Sequence, residues 1–375
     1  MELNYITYQG IPSSTAHGIH TFSLIKYFVK NGLDIRLVFP LREENATTEL
    51  KKLQNHYEIN ENFKIEATKH YLPFGRTKFL KKYTYLFSHV LWSFYISKRY
   101  KKNSEDLVFT LSDWVFYFLS KKNINVTYEC HDLTVTRKKL IKKALLFSNS
   151  KIICINKFVK EDLGLEESKN VVVLENGYDH EVFSQKIKKE SPIRVLYAGN
   201  LERFGKTRGI EEIIKYFLKI NFSKKVEFHI FGGPLSLVEN LRQKYDHDSL
   251  FIHGHIKRSE LSKEMAISHI GVLTNVESIH SQRHTSPLKF YEYIGSGLKV
   301  IATDALTHKS LPYQNSLYFF NLDDFESFKN AINLAIDNIS KNESLNYDKL
   351  TIDFRVKAII KFISARPEGL EPSTP

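Results

Sequence analysis

Short apolar runs of β character alternate with helix-like runs from one end of this chain to the other, and that alternation limits what it can fold into. The first series is "LNYITY" (3–8), "DIRLVF" (34–39), "DLVFTL" (106–111), "NVTYEC" (125–130), "KIICI" (151–155) and "NVVVLE" (170–175). Segments of helical period lie between them. In "IHTFSLIKYFVKNG", Phe22, Ile25, Phe28 and Val29 share one face of a helix that ends at Gly32. The polar stretch "DHEVFSQKIKKESP" (179–192) interrupts the rhythm. A second series follows: "IRVLYAG" (193–199), "VEFHIFGG" (226–233), "LFIHG" (250–254), "IGVLTN" (270–275) and "LKVIATD" (298–304). Repetition of strand, helix and strand predicts parallel sheets covered by helices on both faces. The expected class is α/β with two doubly wound domains, 1–180 and 193–346. A linker is expected over 181–192, a C-terminal helix over 347–364 and a disordered tail over 365–375.

The totals agree. At 375 residues the chain exceeds what one core comfortably serves. Hydrophobic residues at 42% and aromatics at 13% exclude a disordered polypeptide. The 54 Lys+Arg against 42 Asp+Glu leave a net charge of +12, which favours anionic partners such as nucleotides, acidic lipid surfaces or nucleic acid. Cys130 and Cys154 offer neither a disulfide framework nor a metal cluster, so a reducing, cytoplasmic setting is expected. Met1 to Tyr8 has no basic head before a long apolar run, so it does not read as a signal peptide. The most apolar window, "LFSHVLWSFYI" (86–96), falls short of the roughly 20 residues a membrane span needs. A soluble protein is expected, with membrane contact confined to its surface.

In doubly wound sheets, ligands bind at the loops beyond the strand carboxyl ends. Several such loops carry chemistry. "YAGNLERFGKTRGIEEII" (197–214) leaves a strand through Gly199 and a basic loop, then enters a helix near Gly209. Arg203, Lys206 and Arg208 beside a helix amino end suit either a diphosphate or a plain solvated surface. "HIFGG" (229–233) is a strand ending in glycines, and "HGHIKRSELSKEM" (253–265) offers a backbone that could face a flat base. In "TSPLKFYEYIGSG" (285–297), Ser286 can cap a helix that starts at Pro287, runs to Ile294 and stops near Gly297. Lys289 and Glu292, three apart, share a face of that helix. They read either as a surface ion pair or as a ribose-binding carboxylate with a phosphate-neutralising lysine. In the first half, "YQGIPSSTAHGIHTF" (8–22) places small residues, His17 and His20 ahead of a helix. "YECHDLT" (128–134) puts His131 and Asp132 at a strand's carboxyl edge.

Taken in order, these pieces resemble the GT-B-fold glycosyltransferases, closest to glycosyltransferase family 4. The likeness covers roughly residues 1–364 and rests on the early glycine–proline loop, "ECHD", "VVVLENGYD", "YAGNL" with "TRGI", "FGG", "FIHGHI" with "ISHIGVLTN", and "SPLKFYEYIGSGLKVIAT". It implies two Rossmann-like domains facing across a cleft, with the C-terminal helix packing back on the first. It also implies transfer of a hexose-type sugar from a nucleotide-sugar donor, with retained configuration, no required metal and no further cofactor. The second domain would hold the donor and the first the acceptor. By resemblance, Glu292 holds the donor ribose, and Arg208 and Lys289 lie on or near the diphosphate. Arg203 and Lys206 can support them, and Gly10 faces the same phosphates. Gly199, Gly232, His284, Pro287 and Leu288 complete the donor positions. His131 stands near the donor sugar and reaction centre, while His17, His20 and Asp132 fall on the acceptor side. Two departures stand out. His284 occupies the place of the family's first glutamate, and Asn200 follows the glycine of "YAG" where an arginine is frequent.

No aspartate-x-aspartate motif stands at a strand end, which agrees with leaving-group charge being met by protein cations. Residues 69–104 hold nine Lys/Arg, ten aromatics and no Asp or Glu. Lys78, Lys81 and Lys82 on one side and Lys98 to Lys102 on the other flank an apolar core around Trp92, and "RKKLIKK" (137–143) adds a second basic run. This segment reads either as a helix at an anionic membrane, where a glycan or lipid-linked acceptor waits, or as a domain helix with its aromatic face buried. The resemblance suggests bacterial surface polysaccharide synthesis at the inner face of the membrane. Two other functions fit less well. An epimerase needs acid/base groups clustered around one sugar, and a nucleic-acid-binding module finds no motif to support it.

Overall fold

The computed structural model describes residues 1–13, 15–42, 45–70, 81–184, 191–203, 206–275, 278–341 and 346–365, without the side chains of residues 81, 82, 203 and 206. It contains two compact units: Met1–Glu175 together with the chain from Asp353 onward, and Asn176–Ile352.

In the first unit the elements run β1 (Glu2–Ile6), α1 (Ala16–Lys30), β2 (Asp34–Leu41), α2 (Leu50–Tyr57), β3 (Lys64–Lys69), α3 (Lys81–Ser97), β4 (Leu107–Thr110), α4 (Asp113–Ser120), β5 (Asn125–Cys130), α5 (Val135–Ala144), β6 (Ser150–Cys154), α6 (Lys157–Leu163) and β7 (Val171–Val173). The strands form one parallel sheet ordered β3-β2-β1-β4-β5-β6-β7. Central strands are buried on both faces and therefore apolar almost throughout, as in "KIICI". The expected end of α1 holds. Gly32 sits at φ +83°, its N–H reaches Val29 and that of Leu33 reaches Phe28, so a left-handed glycine closes the last turn. Cys130 and Cys154 pair in register on β5 and β6 as free, buried thiols.

The second unit continues with β8 (Ile193–Ala198), the hairpin strands β9 (Glu202–Arg203) and β10 (Lys206–Thr207), α7 (Ile210–Lys219), β11 (Val226–Phe231), α8 (Leu235–Lys244), β12 (Leu250–Gly254), α9 (Arg258–Ile267), β13 (Ile270–Leu273), α10 (Ile279–Arg283), α11 (Leu288–Gly295), β14 (Lys299–Thr303), α12 (Leu306–Lys309), β15 (Leu317–Phe320) and α13 (Phe325–Asp337). Its six-stranded parallel sheet is ordered β12-β11-β8-β13-β14-β15. In both sheets the strand order reverses beside the first strand, between β1 and β4 and between β8 and β13. The loops after those strands are where such sheets hold ligands.

The units divide at Glu175–Asn176, earlier than the polar stretch suggests, because residues from Asn176 on belong to the second unit. Tyr178 donates its N–H to Leu350 and accepts from Ile352 through backbone atoms, and Asn176 Nδ2 donates to the Ser286 carbonyl at 2.7 Å. The expected linker lies outside the described residues over 185–190. The expected C-terminal helix becomes a short 3-10 turn, Tyr347–Leu350, followed by α14 (Ile352–Ser364). That helix packs on the first unit. Lys151 Nζ donates to the terminal carbonyls of Phe362 (2.8 Å) and Ile363 (3.2 Å), and Asn31 donates to Asp353 at 2.8 Å. The tail over 366–375 lies outside the described residues.

Candidate functional site

In the second unit, glycines bring three strand ends together. Gly199, after β8, donates its N–H to Phe231 at 2.9 Å, and Gly232, after β11, donates to Gly254 at 2.8 Å. Gly232 has φ +151°, and a Cβ there would lie 1.7 Å from the Gly199 carbonyl oxygen. Only a residue without a side chain permits that crossing. Gly209 (φ +70°) opens α7, whose first turn carries Glu211 and Glu212. Glu211 pairs with Lys244 and, at 3.4 Å, with Lys215, so carboxylates already complement this helix dipole. The α7 amino end is therefore a weaker place for an anion than the sequence suggests. Arg208 is half-buried beside Tyr197, with its Nε unpaired. Arg203 and Lys206 are in the hairpin, and their side chains lie outside the described atoms.

Helix α11 supplies the centre. Its start differs from the expectation: Pro287 is the N-cap residue, and Ser286 does not cap the helix, because its hydroxyl accepts the Asn176 N–H at 3.3 Å. Its end is as expected, with Gly297 at φ +73° and backbone bonds from Gly297 to Ile294 and from Leu298 to Tyr293. Tyr293 sets the helix on the sheet: its hydroxyl accepts the Ala198 N–H at 2.9 Å and donates to the Val272 carbonyl at 3.3 Å. Glu292 is thereby held 4% exposed. Lys289 Nζ lies 2.6 Å from its Oε2 and Arg258 Nη2 lies 3.4 Å from its Oε1. Arg258 also approaches Asp179 at 3.6 Å and lies 5.1 Å over the Phe183 ring. Arg258, from the "HGHIKRSEL" segment, is a residue that sequence reasoning missed; the segment was valued only for its backbone. Pro287 and Leu288 lead into α11, while His284 is 7% exposed and forms the C-cap of α10.

The first unit gathers a separate cluster at the carboxyl end of β5. Glu129 is fully buried, and both its oxygens lie 3.1 Å from His20 Nε2 on α1. Arg355 of α14 pairs with the same carboxylate and donates to the Glu175 carbonyl at 2.7 Å. Burial pushes the Glu129 carboxyl up, but Arg355, His20 and His131 outweigh it and hold it well below 4.5. Burial lowers His20, against the pull of Glu129. The His131 ring lies 5.2 Å from His17 and 5.0 Å from His20. His17 is exposed. His20, by contrast, is committed to Glu129, and Asp132 stands apart, paired with Arg137. Gly10 is in the β1–α1 loop, which Tyr57 pins by accepting from Ser13 N at 2.7 Å and donating to Ser13 O at 3.1 Å.

Helix α3 has its polarity inverted. Ser88, His89, Trp92, Ser93, Ile96 and Ser97 face inward, whereas Tyr83, Leu86, Phe87, Leu91, Phe94 and Tyr95 are 42–72% exposed. Trp92 donates to Thr68 at 2.7 Å. The reading of α3 as a helix with a buried aromatic face is therefore overturned. Lys98 and Arg99 stand over the Phe94 and Tyr95 rings at 4.7 and 5.5 Å. Lys78 lies outside the described residues, and α5 exposes Lys139, Lys142 and Lys143.

Residues 192–338 match the family model described as "Glycosyl transferases group 1". Solved structures similar to the whole chain include sucrose-phosphate synthase from Thermosynechococcus elongatus (16% identity, TM-score 0.64, 96% of each chain covered). Others are the lipopolysaccharide outer core galactosyltransferase WaaB (13%, 0.57, 97% of each) and a mutant of S. aureus TarM in complex with UDP, alpha-GlcNAc-glycerol and Fondaparinux (12%, 0.65, 97% of this chain and 100% of that one). Among curated proteins a sequence comparison finds no match. The chain has the GT-B fold. The match to the group 1 glycosyltransferase model falls wholly within its second unit.

Proposed function

We propose that this chain is a retaining glycosyltransferase that moves a hexose-type sugar from a nucleoside-diphosphate donor to a glycan or lipid-linked acceptor. The observation that carries the reading is Glu292, a buried carboxylate held between Lys289 and Arg258 on a helix that follows the carboxyl edge of the sheet. A carboxylate there accepts both ribose hydroxyls, and Lys289, Arg258 and Arg208 meet the charge that grows on the departing diphosphate. These cations supply what a metal supplies elsewhere, so transfer is expected to survive chelation. His131 is assigned to the transferred sugar by the resemblance of "ECHD" to the family. No dedicated general base is assigned: in a front-face retaining route the departing phosphate takes the acceptor's proton. The test is to incubate the protein with UDP-, GDP-, ADP- and TDP-glucose, with and without an acceptor extract, and to follow the sugar. Acceptor-dependent transfer supports the reading. A sugar altered without acceptor makes the protein an epimerase and ends it.

The inverted polarity of α3 supports a second element, docking on an anionic membrane at the inner face, where a lipid-linked acceptor of surface polysaccharide synthesis would be met. Among the described residues no helix is long and apolar enough to cross a membrane. Exposed aromatics beside lysines suit the interface instead. In flotation with vesicles of 30% anionic lipid at low salt, the wild type is expected to rise with the vesicles. Replacing Phe87, Leu91 and Tyr95 with serine is expected to weaken that binding more than tenfold, by removing apolar side chains worth about 1.5–3 kcal/mol each when fully buried. Wild-type protein that stays in solution contradicts docking.

A further inference from the structure

The cluster around Glu129 goes beyond any assigned contact. His131 Nε2 is buried and forms no hydrogen bond of good geometry; Glu129 Oε1 lies 3.5 Å from it. His131 follows β5 directly, two residues after Glu129, and the 3.5 Å approach puts both side chains on one face. On that face Glu129 also meets His20 from α1 and Arg355 from α14. Three ligand atoms of His20, Glu129 and His131 lie within 4.8 Å of one another, a spacing that would admit a cation. The Arg355 guanidinium already holds that carboxylate, however, so its charge is met without a cation.

We propose that Glu129 is a positioning residue for His131, and that Arg355 is the counter-charge that keeps it one. An ionised carboxylate only accepts hydrogen bonds, so a neutral imidazole facing it must carry its proton on Nε2. Nδ1 is then left as an acceptor for a substrate hydroxyl. Fixing the tautomer and ring plane in advance spares the reorganisation that a free imidazole would undergo on binding. Arg355 does more than anchor the C-terminal helix: without it, Glu129 would be an uncompensated buried charge. Helix α14 thus sets the protonation geometry of the residue that follows β5. This inference rests on the reading of His131 as a sugar-contacting group.

The test uses full-length protein labelled with nitrogen-15 histidine, with the His131 signal assigned by its loss in His131→Asn. In wild type, His131 is expected as the Nε2–H tautomer, and in Glu129→Gln as a mixture. Nucleoside-diphosphate release from the best bound of UDP-, GDP-, ADP- and TDP-glucose is expected to fall at least tenfold in kcat for Glu129→Gln, with KM within twofold. An Nδ1–H tautomer in wild type overturns the inference, and that spectrum decides even if Glu129→Gln does not fold. A folded Glu129→Gln with unchanged tautomer and kcat overturns it as well. His131→Asn with wild-type turnover is a different failure, because it removes His131 from the reaction altogether.

Discussion

Glu292→Ala lowers donor affinity about a hundredfold or more while leaving the fold of the second unit intact. A hydrogen bond to a charged acceptor contributes about 1.5–3 kcal/mol, and the carboxylate is expected to accept two from the ribose. A factor of ten corresponds to about 1.4 kcal/mol, so loss of both bonds costs at least two decades. A second effect adds to this. The variant leaves Lys289 and Arg258 as neighbouring cations without the carboxylate between them, where they would hold a phosphate less selectively. Free nucleoside diphosphate should therefore lose less affinity than it would if Glu292 acted on the phosphates. Titration calorimetry with the donor and with its diphosphate separates these terms. Equal binding by wild type and variant would move the ribose site elsewhere.

Gly232→Ala has the largest expected effect on stability. The new methyl would fall 1.7 Å from the Gly199 carbonyl oxygen, a backbone atom that cannot move without breaking the β8–β11 loop contacts. The φ of +151° adds strain for any residue with a Cβ. Overpacking and backbone strain each cost about 1–3 kcal/mol, so a loss of roughly 3–5 kcal/mol is expected. The neighbouring Gly233 is the control. A Cβ there would meet nothing closer than 3.8 Å, so Gly233→Ala should stay within about 1 kcal/mol of wild type. Urea unfolding followed by circular dichroism measures both. Similar midpoints for the two variants would refute the crossing.

The parts legible in the sequence are those carried by local pattern. Strands such as β5 and β6 are continuous apolar runs, and α1 and α11 announce their ends with Gly32 and Gly297. Strand β3, "KIEATK", escaped notice because an edge strand alternates charged and apolar residues and has no apolar run. β15 was missed as well, as four residues close behind a 3-10 turn. Glu292 and Lys289 could be paired from their spacing, but Arg258 comes from a helix 34 residues earlier in the chain and meets them only in three dimensions. Arg355 lies 226 residues from Glu129, and no local pattern links them. For α3, composition identified the segment but not its orientation. Ser88, Ser93 and Ser97 line its inner face through tertiary packing, which turned the aromatics outward against the usual amphipathic rule.

The central claim, that the second unit binds a nucleoside-diphosphate sugar through Glu292, is tested most directly by a thermal-shift screen of UDP-, GDP-, ADP- and TDP-sugars. At 100 times its dissociation constant, a true donor should stabilise the wild-type protein by about 2.7 kcal/mol. The account predicts that shift for at least one sugar nucleotide and its loss in Glu292→Ala. No shift with any of them, or an equal shift in the variant, would contradict it.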